Sequence, residues 1–84
     1  MNSKQRAVLA KIFQAPTARD LRWSTIHSLL VALGAEMIQG DGSRGSFRLN
    51  GVRATFHAPH GSKLTHVATV EDIRAFLEAA GVTP

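Results

Sequence analysis

Basic side chains and a histidine recur through the middle of the chain, where residues 44–57 read RGSFRLNGVRATFH. Histidine suits proton transfer at neutral pH because its ordinary pKa is about 6.5. Arginine suits phosphate because its planar guanidinium is always charged and can bind two oxygens at once. RNA cleavage without a metal needs these residue types: a base for the 2′-hydroxyl proton, a cation for the phosphoryl oxygens and an acid for the leaving oxygen. The candidate residues are Arg44, Arg48, Arg53, His57 and Lys63.

An Asn50-Gly51 pair positions these residues, because Asn-Gly between alternating runs predicts a β-hairpin with a type I′ turn. Counting outward from the turn, Arg48 pairs with Arg53 and Arg44 pairs with His57. Side chains alternate between the two faces of a strand, so the hairpin has one apolar and one polar face. The predicted apolar face comprises Phe47, Leu49, Val52, Ala54 and Phe56. The predicted polar face comprises Arg44, Ser46, Arg48, Arg53, Thr55 and His57.

The polar face has two interpretations. Arg48 and Arg53 would be like charges directly across a strand pair, which is mildly unfavourable and would be relieved by an anionic partner. The arginines would equally serve to keep an exposed sheet soluble. The chain as a whole has 10 Lys and Arg against 6 Asp and Glu, a net charge of +4. This excess favours nucleic acid or an acidic protein as partner.

Composition excludes several classes of protein. The 84 residues are enough for one small domain, and the absence of Cys excludes disulfides and zinc–thiolate sites. No apolar run approaches the roughly 20 residues of a membrane span, and the N-terminus lacks the apolar core of a signal peptide. A cytoplasmic protein without membrane contact is expected. Three histidines, His57, His60 and His66, lie near one another in sequence, but their spacing matches no zinc ligand pattern, and no metal or cofactor is expected.

Apolar periodicity predicts three helices around the hairpin. The first covers 3–15, with Ser3 as N-cap and Pro16 near its end; the second runs from Trp23 to Leu33, with Gly34 as its C-cap. The third begins at Thr69 as N-cap, after a loop over 57–68 that is long for a connector. His27 falls one residue off the apolar stripe of the second helix and is expected on its surface.

Residues 35–39 (AEMIQ) form a short first strand, and a turn over 40–43 joins it to the hairpin. The predicted order is α-α-β-β-β-α, an α+β fold with a three-stranded antiparallel sheet. Helices on one face of such a sheet leave the other face in water, so the basic face is expected to be the solvent side.

The segment LLVALGAEMIQGDGSRGSFRLNGVRATFHAPHGSK, followed by a helix that ends in AAGV, resembles the HicA toxins. The resemblance covers residues 24–82. It implies an mRNA interferase of a type II toxin–antitoxin pair, with a double-stranded-RNA-binding-domain-like fold and a HicB antitoxin. It also implies a single HicA-like domain over 1–84, in which 1–22 are an extra helix and connector and 23–84 are the core.

The family usually has its catalytic histidine right after a Gly-Ser pair, or within a residue or two of it. Here Gly42-Ser43 is followed by Arg44-Gly45-Ser46. In one interpretation His57 replaces the missing histidine from the adjoining strand, and His60 or Lys63 supplies the second proton donor or a phosphate contact. In the other, catalysis has been lost, and the domain only binds RNA or its antitoxin.

The first interpretation sets the expected site. The expected catalytic residues are His57, Arg44 and His60. The expected RNA-binding residues are Ser43, Ser46, Arg48, Arg53 and Lys63. The expected partners are mRNA and a HicB-like antitoxin, and the toxin alone is expected to be a monomer.

Overall fold

Three helices and a three-stranded antiparallel sheet make up the described part of the α+β fold. The structure is a computed structural model, and it describes residues 1–38, 44–59 and 63–84. The helices are α1 (Ser3–Phe13), α2 (Trp23–Ala32) and α3 (Val67–Ala79); the strands are β1 (Glu36–Ile38), β2 (Arg44–Leu49) and β3 (Val52–His57). The predicted order α-α-β-β-β-α is confirmed. The sheet order is β1-β2-β3, so β2 lies in the centre.

The Asn50-Gly51 hairpin forms in the predicted register. Both turn residues have positive φ, 50° for Asn50 and 81° for Gly51, as a type I′ turn requires. The described pairs of β2 and β3 run from Leu49 opposite Val52 to Arg44 opposite His57. Because this register fixes which side chains share a face, it also fixes which residues face the core.

The apolar face of the hairpin packs into the core, as predicted. Phe47, Leu49 and Phe56 are buried, and Val52 and Ala54 are partly buried against them. Phe56 meets Phe76 of α3 edge to face, with ring centroids 5.5 Å apart. The predicted helix stripes supply the other side of this core. They contribute Leu9 and Ile12 from α1, Ile26, Leu29 and Leu30 from α2, and Val70, Ile73, Phe76 and Leu77 from α3.

Three predicted helix caps are wrong. The C-cap of α2 is Leu33, and Gly34, which has a positive φ of 92°, follows it. The N-cap of α1 is Asn2 rather than Ser3, because the Asn2 side chain accepts from the Gln5 amide while the Gln5 side chain accepts from the Asn2 amide. Helix α3 begins at Val67, with His66 at the N-cap, so Thr69 lies inside the helix rather than at its cap. Helix α3 thus begins two residues before the predicted N-cap, and the connection from β3 to α3 is shorter than predicted. Residue 39, the predicted end of the first strand, lies outside the described residues.

The connector between α1 and α2 is joined to this loop. Arg22 and Leu64 form an isolated antiparallel bridge. The Thr65 amide donates to the Leu21 carbonyl at 2.8 Å, and the Trp23 amide donates to the Lys63 carbonyl at 3.0 Å. These bonds fix the end of the loop beside the first residue of α2, in the helix layer.

Arg74, a half-buried residue of α3, joins this helix to α1. Arg74 donates through Nε to the Ile12 carbonyl at 2.9 Å, and through Nη2 to the Gln14 carbonyl and Thr17 Oγ1. Thr17 Oγ1 in turn donates to Glu71 Oε2 at 2.9 Å. Arg74 thus binds carbonyls at the C-terminal end of α1 that no further helical turn would satisfy. No helix in the described part of the chain is long and apolar enough to cross a bilayer.

Candidate functional site

The polar side chains of the hairpin lie on the face of the sheet that the helices leave uncovered. Along β3, Arg53, Thr55 and His57 are exposed, whereas Phe56 between them is buried. On β2, Arg48 is exposed and its neighbours Phe47 and Leu49 are buried. This face, called the outer face below, consists of transverse rows of residues that lie opposite one another on neighbouring strands.

The first row lies next to the hairpin turn and runs Glu36, Arg48, Arg53 across the three strands. Arg48 Nη2 donates to Glu36 Oε2 at 2.6 Å. Both side chains are largely exposed, so the pair contributes little to stability. The unfavourable Arg48–Arg53 contact expected from the sequence is therefore relieved from within the chain, by a carboxylate on β1.

The second row runs Ile38, Ser46, Thr55. The hydroxyls of Ser46 and Thr55 lie 2.8 Å apart in a hydrogen bond, and either of them can be the donor. Hydroxyls can also bond the phosphate or sugar oxygens of RNA. This uncharged row separates the two basic rows.

The third row pairs position 44 on β2 with His57 on β3. His57 is exposed, and its backbone lies four residues along β3 from Arg53. At about 3.3 Å per strand residue, their Cα atoms are about 13 Å apart. Residues directly opposite in an antiparallel pair have Cα atoms only about 4.5–5.5 Å apart. His57 and position 44 are therefore close enough to contact one bound group, whereas the backbone of Arg53 lies about 13 Å away along the strand.

The other predicted site residues are not all brought to this face. Ser43 and His60 lie outside the described residues, and only the backbone register of Arg44 is described. Lys63 is exposed, but its carbonyl accepts the Trp23 amide, so its backbone lies at the start of α2. It belongs to the helix layer, on the opposite side of the sheet from the outer face.

His27 is not the surface residue that the sequence predicted. It is half-buried, with its ring 5.9 Å from that of Phe47, edge to face, and 6.5 Å from that of Trp23. Trp23 and His27 lie one helical turn apart on α2, and the rings of both pack against Phe47 of the central strand. Apolar periodicity did not predict this position, because it considers only residue types along the helix and not contacts with a neighbouring sheet.

The described part of the outer face holds no cluster of possible metal ligands. Nowhere in 1–38, 44–59 and 63–84 do three His, Cys, Asp or Glu side chains come close enough to hold a metal ion. A groove of about 300 Å³ lies between α1 and α2, lined by residues that include Lys4, Gln5, Ser24 and Ser28. It lies in the helix layer, away from the predicted catalytic residues.

Comparison with protein families gives a match to "HicA toxin of bacterial toxin-antitoxin" over residues 23–82, more than two-thirds of the chain. The chain belongs to the HicA toxin family. As a HicA toxin it is the toxin member of a bacterial toxin–antitoxin system, and an antitoxin is its implied partner. Comparisons with curated proteins and with solved structures found no match.

The HicA match includes all three strands, α2 and α3, and hence the whole outer face. It begins at Trp23 and leaves out α1 and the connector. Nevertheless Leu9 and Ile12 of α1 are buried in the same core as Ile73 and Leu77 of α3. In this HicA toxin the segment before the family match is part of the packed structure.

Proposed function

We propose that this HicA toxin cleaves mRNA without a metal ion, thereby inhibiting translation, and that a HicB-like antitoxin neutralises it. The observation that carries the proposal is the register of β2 and β3, which sets Arg44 directly opposite the exposed His57. A proton-transfer group and a phosphate-binding group are thus neighbours on a basic, solvent-facing sheet.

In the proposed reaction His57 removes the proton from a ribose 2′-hydroxyl. The 2′-oxygen then forms a bond to the adjacent phosphorus, and the bond from phosphorus to the 5′-oxygen of the next nucleotide breaks. Arg44 stabilises the negative charge that develops on the phosphoryl oxygens. A second proton donor, for which His60 is the candidate, protonates the leaving 5′-oxygen. No electron transfer or bound cofactor enters this sequence.

The remaining polar residues bind the RNA on either side of the reacting phosphate. Arg53 and Arg48 lie about 13 Å along the strands from the His57 row, far enough to hold a different part of the backbone. Ser46 and Thr55 lie between the two basic rows and supply hydroxyls. Ser43 and Lys63 keep the RNA-binding role proposed from the sequence, and Lys63, whose backbone lies at the start of α2, would contact RNA that extends beyond the outer face. The described outer face carries no aromatic side chain for base stacking, which favours recognition of shape and backbone.

The proposed antitoxin contact follows from the same charges. A HicB-like partner with an acidic surface would be attracted to the outer face and would exclude RNA from it. Such a complex would block cleavage by covering His57, without any change in the conformation of the toxin.

One observation favours a second candidate function, in which the domain binds RNA or antitoxin without cleaving. Gly42-Ser43 is followed by Arg44, where the resemblance to the family leads one to expect a histidine. If His57 does not replace that histidine, the arginine-rich face remains a binding surface.

Cleavage of a long labelled RNA in the presence of a chelator tests the proposal. We expect the wild-type protein to cleave and His57→Ala to lose at least about 100-fold in rate, the usual minimum for a general acid or base. The matched control is His66→Ala, because His66 is also exposed but makes no side-chain cap bond to α3 and lies off the outer face. It should cleave at the wild-type rate.

Two results would contradict the proposal in different ways. Equal cleavage by His57→Ala and wild type would show that another residue is the base. RNA binding without cleavage by the wild-type protein would favour the second candidate function. Circular dichroism of each variant separates loss of activity from loss of the fold.

A further inference from the structure

The first row of the outer face contains an ion pair, the only one within the described strands. Glu36 on the edge strand β1 holds Arg48 on the central strand, and Arg53 follows on β3. The row is therefore asymmetric: one side is a neutral pair, and the other is a single arginine. Within the described residues, Arg53 makes no ion pair and its residue is exposed.

This asymmetry changes how the row meets a polyanion. The Glu36 carboxylate lies 2.6 Å from the Arg48 guanidinium. A phosphate that approaches Arg48 is repelled by this carboxylate and must displace it to bind the guanidinium. A phosphate that approaches Arg53 meets no such competitor in the described structure. Since each phosphate–cation contact releases condensed counterions, the two arginines should contribute unequally to the salt dependence of binding.

The ion pair is also easy to exchange. Its side chains are 54% and 66% exposed for Arg48 and Glu36, so the pair has little stability of its own. Removing Glu36 should therefore leave the fold intact while it frees Arg48 for phosphate. The carboxylate acts on the RNA contact and contributes little to the protein core.

We propose that Glu36 is an internal competitor of RNA phosphate: it neutralises Arg48 and directs the RNA backbone to the β3 side of the outer face, where Arg53 is the principal phosphate contact of this row. The inference rests on the proposed RNA-binding function but not on cleavage. It gives the RNA a path along β3, from Arg53 past Thr55 to His57, rather than across the centre of the sheet. Glu36 thereby positions the RNA backbone relative to the third row, which contains the proposed catalytic residue His57.

The test uses a fluorescein-labelled RNA duplex of about 16 base pairs, the length that a double-stranded-RNA-binding domain spans. Its riboses carry 2′-O-methyl groups, so it cannot be cleaved, and binding is measured whether or not the protein is a nuclease. Fluorescence anisotropy gives the affinity at several salt concentrations for the wild type and for Glu36→Gln, Arg48→Gln and Arg53→Gln.

We expect Glu36→Gln to bind more tightly than wild type, and the slope of log K against log salt to steepen by about 0.9 as one phosphate contact is gained. Arg53→Gln should bind more weakly, with a slope shallower by about 0.9. Arg48→Gln should cost less than Arg53→Gln in the wild-type background, but as much as Arg53→Gln once Glu36→Gln is also present.

Matched controls separate position from net charge. Glu78→Gln removes an exposed carboxylate from α3, and Arg6→Gln removes an exposed arginine from α1. Each changes the net charge by the same amount as its test variant, away from the outer face, and should leave the slope nearly unchanged. Circular dichroism confirms that each variant is folded.

Three outcomes would overturn the inference. They are a Glu36→Gln effect no larger than that of Glu78→Gln, equal losses for Arg48→Gln and Arg53→Gln in the wild-type background, and no binding of the duplex by any variant. The last would also remove the RNA-binding part of the proposed function. By contrast, a wild-type protein that binds this duplex as expected but fails to cleave ordinary RNA would contradict only the nuclease proposal.

Discussion

Arginines occupy two regions of this toxin in opposite surroundings. At the junction of α1 and α3, Arg74 donates to two carbonyls and a hydroxyl from the end of α1 and the connector. On the outer face of the sheet, Arg53 is exposed, and the described structure gives it no ion pair. One guanidinium is held by two backbone carbonyls and a hydroxyl of the protein, and the other is available to an anion.

The basic residues of the chain therefore do not all have the same role. The formal charge of +4 includes cations such as Arg74 that hold the helix layer together. The proposed function assigns partner binding to the cations on the outer face rather than to those, such as Arg74, that join the helices. Substitutions in the two regions should therefore separate cleanly, with losses of stability in one and losses of binding or cleavage in the other.

The largest effect on stability is expected from Arg74→Ala. Hydrogen bonds to a charged group each contribute about 1.5–3 kcal/mol, and their loss leaves the Ile12 and Gln14 carbonyls without this donor. We expect the free energy of unfolding to fall by about 2 kcal/mol in urea denaturation, while Arg53→Ala changes it by less than about 0.5 kcal/mol. Equal destabilisation by the two substitutions would contradict the view that Arg74 stabilises the fold and Arg53 does not.

A smaller loss is expected from Thr17→Val, which keeps the side-chain shape but removes the hydroxyl between Arg74 and Glu71. One neutral hydrogen-bonding group of this kind contributes about 1 kcal/mol. The same denaturation experiment measures the loss, with the exposed Thr83→Val as the control. If Thr17→Val is as stable as the control, Arg74 acts through the carbonyls alone.

The smallest effect is expected at the exposed ion pair between α1 and the connector that follows it, Lys11 with Asp20 at 2.6 Å. The hydrogen bond from Lys11 lowers the pKa of the Asp20 carboxyl. Because that pKa is lower in the folded state, the stabilisation is present above the ordinary carboxyl pKa of about 3.9 and is lost as the pH falls through the lowered value.

Melting temperatures of the wild type and Asp20→Asn should therefore differ slightly at neutral pH and converge in acid. High salt should also reduce the difference, because both side chains are exposed. A difference that persists unchanged to pH 2 would show that Asp20 stabilises the fold by something other than its charge.

The parts of the fold that the sequence predicted correctly depend on local signals. The Asn50-Gly51 turn sets the hairpin register, and the register alone fixes which face is buried. The helix stripes follow from a period of 3.6 residues, which needs no knowledge of distant contacts. Even the pairing of Arg44 with His57 follows from counting outward from the turn, and the structure confirms it.

The parts that the sequence did not predict depend on contacts between distant elements. The Glu36–Arg48 pair requires the register of β1 on β2, and the sequence between these strands has no Asn-Gly pair from which to count that register. Arg74 bonds atoms about 60 positions earlier in the chain, a contact that no motif announces. His27 was misplaced for the same reason, since its position depends on Phe47 of the sheet.

The hairpin turn is also joined to the far end of the last helix. Asn50 Nδ2 donates to the Ala80 carbonyl at 2.8 Å, at the C-cap of α3. Because this bond joins the two segments, we expect the tip of the hairpin and the end of α3 to open together. In native-state hydrogen exchange, we expect the amides beside the turn and those of the last turn of α3 to exchange as one cooperative unit. One residue on each strand separates the Arg48–Arg53 pair from that turn, so the end of the last helix supports the part of the sheet that is proposed to bind RNA.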